Sequence, residues 1–222
     1  MLLSWVFLNG QSLVSSEKFY ASDSEITLIS ETYAIRKGDE ILIGIKFELE
    51  EGWHTYWENP GDAGEGATID WVLPKGLKAS EILWPGPERI PVDPLMTFGY
   101  NDEVVLLTRI TSDEELTFPA KIQANVSWFT CKDICIPQEG NIDVVIQQGD
   151  FSSSIHSKEI RSYLNKVPTE FPQNYIVQKL DDKFFIQSDI DFIRTCLSES
   201  GLSNNLSSFT KNCLNGIFLS NE

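Results

Sequence analysis

The sequence predicts an all-β protein: an antiparallel sandwich followed by a short helix and an incomplete β segment. Three observations carry that expectation. Residues 17–150 hold a succession of short stretches in which apolar and polar side chains alternate with period two. Gly, Pro and Asp clusters punctuate those stretches at turn spacing. Beyond residue 150 the alternation gives way to a helical period and then to a polar tail.

Taken in order, Arg36-Lys37-Gly38-Asp39 marks a hairpin turn after a strand at Tyr33–Ile35. Ile41, Ile43, Ile45, Phe47 and Leu49 share one parity and Lys46, Glu48 and Glu50 the other, the pattern of a half-buried strand. Ile69, Trp71 and Leu73 alternate in the same way and end at Pro74-Lys75-Gly76. Val104, Leu106, Thr108 and Ile110 mark another strand. Ile122, Ala124, Val126 and Trp128 mark the next, opposite Lys121, Gln123, Asn125 and Ser127. Ile142, Val144 and Ile146 close the set. Two stretches break the rhythm. Residues 57–66 are rich in Gly, Pro and acids and read as a loop. Residues 84–101 carry four prolines and read as a long stiffened loop, of the kind that often carries function.

Ser152 to Ser154 can cap a helix with Ile160, Tyr163, Leu164 and Val167 on one face and Pro168 as its stop, which makes 151–168 a helical linker. Tyr175–Leu180 and Phe184–Ile190 read as a hairpin about Asp181-Asp182. The Ser- and Asn-rich stretch from Ser198 makes 169–222 a partial second β domain or a disordered tail. At the other end, Leu2 to Leu8 is apolar and Val14-Ser15-Ser16 is a small-residue cleavage signal. Residues 1–16 therefore read as a signal-peptide remnant without a positive leading region. No stretch reaches the ~18 apolar residues that span a bilayer.

The net charge of −16 argues against nucleic acid, because a phosphate-binding surface needs Lys and Arg. It also argues against docking on an anionic membrane surface, and its plain meaning is solubility.

The chemistry is concentrated at Cys131 and Cys135, four residues apart and just after a strand. A disulfide needs Cα atoms roughly 4.4–6.8 Å apart, and a reversal through Lys132-Asp133-Ile134 brings the two together. Pro137 opposes a continuing helix. A bond that closes so small a loop gains little from chain entropy, which favours a bond made and broken over a structural staple. Lys132 would lower a neighbouring thiol pKa and Asp133 would raise it. Spacing alone leaves redox exchange, a structural bridge and metal binding open. Beyond its cysteines the chain has only His54 and His156 as nitrogen ligands, too few for a closed zinc site, although copper(I) on the two sulfurs stays open. His54 sits in an aromatic segment and reads as packed; His156 reads as solvated. Cys196 and Cys213 enclose a longer loop and are candidates for a structural disulfide. No cofactor is expected.

At these residues the sequence becomes familiar. The run from Gly52 to Gly64 (GWHTYWENPGDAG) resembles the N-terminal periplasmic domain of the DsbD/ScsB family of thiol:disulfide interchange proteins. So do Ile69-Asp70-Trp71, Trp84-Pro85-Gly86-Pro87-Glu88-Arg89, Phe98-Gly99-Tyr100, and Val126-Ser127-Trp128 running into Cys131-Lys132-Asp133-Ile134-Cys135-Ile136-Pro137. The resemblance covers about residues 24–150, with the motifs in the family's order. It implies an immunoglobulin-like sandwich whose Cys131 and Cys135 shuttle between dithiol and disulfide, with Cys135 forming mixed disulfides and Cys131 resolving them. It also implies a cap loop, here Leu95 to Asn101 with Phe98, Gly99 and Tyr100 shielding the site, and places His54 and Tyr56 beside it. The implied partners are a membrane-embedded thiol donor or a thioredoxin-like domain, and oxidised periplasmic proteins. The cysteine spacing is tighter than in the best-known DsbD domain and nearer to the ScsB-like branch. Family members usually continue into membrane-spanning and thioredoxin-like domains, so the electron donor is expected to be another chain.

Overall fold

The structure is a computed structural model that describes residues 14–149 and 152–168, together with the backbone of Tyr175–Leu180 and Lys183–Ser188. Two antiparallel sheets face each other. The first runs β1 (Phe19–Tyr20), β2 (Ser24–Ser30), β3 (Glu40–Leu49), β9 (Glu103–Ser112), β6 (Leu77–Ala79). The second runs β11 (Cys135–Ile146), β10 (Ala120–Cys131), β4 (His54–Gly61), β8 (Leu95–Asn101), β7 (Glu88–Val92), with β5 (Thr68–Val72) also paired to β10. This is the immunoglobulin-like arrangement the sequence predicts.

The period-two patterns do what they were expected to do. Ile122, Ala124, Val126 and Trp128 of β10 are all buried against Ile41, Ile43, Ile45 and Phe47 of β3 and their neighbours. The Trp128 ring meets Phe47 edge-on at 5.7 Å, and its Nε1–H donates to Ser24 Oγ at 3.2 Å. Asp23, itself buried, lies under the same strand: Thr130 Oγ1 is 3.0 and 2.9 Å from its two carboxylate oxygens.

Four expectations need correction. First, β3 is not half-buried: Leu42 is buried as well as its neighbours, because the sheet's outer face is covered. A Cβ on Gly44 would sit 2.5 Å from Val105 Cγ1, so that outer face is closely packed. The helix α1 (Ser157–Leu164) lies against β9 and β3 and buries Ile160 and Tyr163. Lys46 Nζ bridges Glu103 and Glu159 at 2.7 and 2.8 Å and ties the helix down. Second, that helix begins at Ser157, one turn later than a Ser154 cap would place it: Ser154 Oγ accepts from the His156 amide and donates to the Ser30 carbonyl, closing the turn that leads into α1. Third, Tyr33–Ile35 is not a strand. After Ser30 the backbone leaves the sheet; the Tyr33 amide bonds Ser152 and Ala34 bridges Gln147. The strand before the Arg36–Asp39 turn is β2.

Fourth, the two expected loops are partly strand. Within 57–66, β4 continues to Gly61. Within 84–101, β7 and β8 form a hairpin. Its prolines are tolerated because β7 is an edge strand, where Pro91 deprives no inner neighbour of a ladder bond. The segment expected as a cap loop, Leu95 to Asn101, is therefore strand β8, paired to β4 and to β7.

At the start of the described chain, Val14 is buried in the core and its carbonyl accepts from the Ser30 amide. The strands β12 (Tyr175–Leu180) and β13 (Lys183–Ser188) pair with each other as an antiparallel ladder. Cys196 and Cys213 lie outside the described residues.

Candidate functional site

β10 and β11 stay in register along their whole length, down to the last pair, Cys131 opposite Cys135. The reversal Lys132–Ile134 closes the hairpin, with the Lys132 amide bonded to the Ile134 carbonyl at 3.1 Å. The two sulfurs are joined at 2.04 Å. Cys131 is 2% exposed, whereas Cys135 is open to solvent together with Lys132, Asp133 and Ile134. The two halves of this bond therefore differ sharply in access.

The second strand of the site comes from far along the chain. β4 meets β10 at Thr130 opposite Thr55 and Cys131 opposite His54. Residues directly opposed share a face of the sheet, so His54, Cys131 and Cys135 project together, and Tyr56, two residues on, joins them. The Tyr56 hydroxyl donates to Cys131 Sγ at 2.9 Å and lies 3.3 Å from Cys135 Sγ. Thr55 points the other way, and its hydroxyl bonds the Phe129 carbonyl at 2.9 Å, locking β4 to the strand that carries Cys131. Lys132 Nζ is held by the Glu51 carbonyl at 3.1 Å.

His54 is 5% exposed, and its ring stands edge-on to that of Tyr56 at 5.3 Å. Its buried Nε2 has no hydrogen-bond partner. Burial pushes the His54 pKa below the ordinary histidine value and pushes the Tyr56 phenol up, so the imidazole is neutral and the phenol keeps its proton near neutral pH.

The other expected residues are placed differently. Gly99 lies beside Tyr56 in register, and a Cβ there would sit 2.0 Å from the Thr55 carbonyl oxygen, so β8 can approach β4 only with glycine at this position. Tyr100 is opposite Thr55, in the core, and its hydroxyl donates to the Pro85 carbonyl at 2.7 Å. Phe98 has the parity of Tyr100 and packs its ring edge about 3.1 Å from where a Gly61 Cβ would be. Phe98 and Tyr100 thus share one parity of β8, and of the two Tyr100 is packed in the core between the sheets. The side chain bonded to both sulfurs is Tyr56.

One contributor was not singled out from the sequence. Gly64, at φ +92°, presses its backbone onto the Tyr56 ring: a Cβ there would be 2.1–2.4 Å from the ring's Cζ and Cε atoms. Its signal was the run Gly61-Asp62-Ala63-Gly64, legible as a loop but silent about which ring it covers. Among the described residues no group of three or more His, Cys, Asp or Glu side chains gathers as a metal site. Among them, too, no helix is long and apolar enough to cross a membrane.

The family model for the N-terminal domain of the thiol:disulfide interchange protein DsbD matches residues 26–146, more than half of the 222-residue chain. This chain belongs to the DsbD N-terminal family. The match spans both sheets, from β2 to the end of β11, and includes the cysteine hairpin. Among solved structures, the N-terminal periplasmic domain of ScsB from Proteus mirabilis is similar with a TM-score of 0.61 at 16% identity, covering 81% of this chain and 71% of that one. The reduced DsbD N-terminal domain of Neisseria meningitidis is similar over 57% of this chain and 89% of its own, at 10% identity and a TM-score of 0.29. No curated protein sequence matches the chain. Membership of the DsbD N-terminal family makes thiol–disulfide exchange the chemistry of this fold, and the Cys131–Cys135 bond supplies the sulfur pair for it.

His54 gives this DsbD-type site a pH signature. A histidine whose pKa is lower in the folded than in the unfolded chain binds fewer protons when folded. Stability then rises with pH, and it is lost as pH falls below the unfolded value of about 6.5 towards the depressed folded value. Urea denaturation of the wild type between neutral and mildly acid pH is expected to show this loss, and His54→Gln is expected to flatten it. An equal slope in both proteins would assign the loss to other groups.

Proposed function

We propose that this chain is a periplasmic protein-disulfide reductase domain. It would take reducing equivalents from a membrane-embedded thiol donor or a thioredoxin-like domain and pass them to oxidised periplasmic proteins. The observation that carries this reading is the unequal access to the two sulfurs, Cys135 open and Cys131 buried, on a hairpin tip of a DsbD-type fold. A partner sulfur can reach only one of them.

In the reduced domain the Cys135 thiolate attacks a disulfide of the substrate protein. The substrate's sulfur–sulfur bond breaks, one of its sulfurs leaves as thiolate, and a mixed disulfide forms on Cys135. The Cys131 thiolate then attacks Cys135 Sγ, closes the Cys131–Cys135 bond and expels the second substrate thiolate. Two electrons have passed to the substrate and two protons complete its thiols. Recharging by a donor dithiol runs the same steps in reverse.

The test is a redox titration of the Cys131–Cys135 couple together with an exchange assay on Cys135→Ser. An exchange site titrates above about −300 mV, where structural disulfides resist reduction. Cys135→Ser is expected to reduce no protein disulfide. A potential well below that bound, or undiminished exchange in Cys135→Ser, would overturn the reading.

A further inference from the structure

The exchange reading needs Cys131 to leave as a thiolate each time the domain is recharged, yet Cys131 is 2% exposed. A buried anion without a partner is costly, so something must stabilise it. The groups around it narrow the choice. Lys132 is tied to the Glu51 carbonyl beyond the hairpin. Asn101, in register with His54, donates to Glu88 at 2.8 Å, which pairs it with a carboxylate of the wrong sign to stabilise an anion. His54 is neutral. Tyr56 is the donor within reach, 2.9 Å from Cys131 Sγ.

Resting on that exchange reading, we propose that Tyr56 is a catalytic residue whose hydroxyl stabilises the leaving Cys131 thiolate, and that the 61–66 loop holds its ring in place for this. During recharging, a donor dithiol's thiolate attacks Cys135 Sγ. The Cys131–Cys135 bond breaks, its electron pair stays on Cys131 Sγ, and a mixed disulfide joins Cys135 to the donor. The donor's second thiolate then attacks its own sulfur in the mixed disulfide, frees Cys135 and leaves the donor oxidised. Throughout, the Tyr56 O–H donates a hydrogen bond and keeps its proton; the protons that complete the two thiols come from the donor's thiols. The bond to a neutral disulfide sulfur is weak, whereas the bond to a thiolate is charge-assisted. An interaction that strengthens as charge develops is the kind that accelerates a step.

The loop explains how a single-ended side chain is aimed so well. Gly64 packs against the phenol ring at φ +92°, a conformation that side chains rarely adopt, and at a distance that leaves no room for a Cβ. The loop is itself latched to the β7–β8 hairpin: the Asp62 amide donates to the Met96 carbonyl at 3.0 Å, and the Met96 amide donates to Asp62 Oδ2 at 2.9 Å. Hairpin, loop, ring and sulfurs therefore form one chain of contacts. In this molecule the element lying on the sulfur-bound ring is the glycine loop, with Asp62 and Gly64 as positioning residues.

The experiment compares wild type, Tyr56→Phe, Gly64→Ala, Asp62→Ala and the Tyr56→Phe/Gly64→Ala double variant. The first readout is the pKa of the Cys131 thiol in protein reduced with a phosphine, followed by NMR of 13Cβ-labelled cysteine. The second is the rate of reduction by dithiothreitol. Loss of one hydrogen bond to a charged acceptor is expected to raise the Cys131 pKa by about one unit and slow reduction about tenfold in Tyr56→Phe. Gly64→Ala is expected to match it, and the double variant to add nothing further, since both act on one hydroxyl. Asp62→Ala adds no atoms and is expected to shift the same pKa in the same direction, which keeps the loop testable if Gly64→Ala fails to fold. A Tyr56→Phe protein with a Cys131 pKa within about 0.3 unit of wild type, or a reduction rate within twofold of it, would overturn the role of Tyr56. Unchanged values in Asp62→Ala and Gly64→Ala would overturn that of the loop. The thiol pKa is read without any protein partner, so a domain that reduced no substrate would sink the exchange reading while the Tyr56 bond was still measured.

Discussion

Cys131→Ser is expected to trap the domain in covalent complexes through Cys135. Cys135 is exposed, so a partner disulfide still reaches it and a mixed disulfide still forms. The group that would release the partner is missing. In the wild type that group is opposite Cys135 on the neighbouring strand, already bonded to it in the oxidised form. Well-oriented intramolecular attack has effective molarities of ~10⁵ M or more, so replacing it with dissolved thiol at millimolar levels should lengthen the adduct's life by at least about a thousandfold. Non-reducing electrophoresis after mixing with an oxidised protein substrate would show the adduct as a band that disappears with excess dithiothreitol. Cys135→Ser should form no such band, because Cys131 is 2% exposed. Equal trapping in the two variants would mean that their unequal burial does not govern reactivity. No trapping in either would mark the bond as structural.

The second large effect concerns Trp128. It is 1% exposed, meets Phe47 and Phe19 edge-on at 5.7 and 6.4 Å, and donates to Ser24. Trp128→Ala removes the largest fully buried side chain among the described residues and leaves a cavity between the sheets, which costs roughly 3–5 kcal/mol. Domains have about 5–15 kcal/mol in total, so the variant should be close to unfolding at physiological temperature. Urea denaturation would read this as a large fall in the midpoint at unchanged slope. The consequence reaches the site through β10, since Trp128, Thr130 and Cys131 are on one strand and Thr130 is anchored to Asp23. Loss of the inner packing should therefore loosen the cysteine hairpin before the rest of the second sheet. Trp71, partly buried on β5 beside β10, should cost clearly less when truncated. Equal costs at the two tryptophans would contradict the assignment of the core.

How far the sequence reached can be judged from particular strands. Parity in β10 and in the inner face of β3 was legible, because a sheet with one face on a core must alternate. The outer face of β3 was misread as polar because its cover, α1 with Ile160 and Tyr163, lies more than a hundred residues away and no local pattern announces it. The β7–β8 hairpin was hidden by its prolines, which forbid an inner strand but not an edge. The three-residue reversal between Cys131 and Cys135 was legible for the opposite reason: everything that determines it is local.

The same division runs through the site. By itself the sequence determined an antiparallel sandwich, the tip on which Cys131 and Cys135 meet, and the motifs that place the chain with the DsbD N-terminal domains. Only the tertiary structure decided that Cys131 is buried while Cys135 is open, and that the Tyr56 hydroxyl, placed beside the site by resemblance alone, meets both sulfurs. The reason is pairing at a distance. Tyr56 is 75 residues from Cys131 and meets it because β4 docks on the end of β10 at just two residue pairs. Phe98 and Tyr100 belong to a segment paired on both sides, a pairing with β4 and β7 that its prolines hid from a local reading.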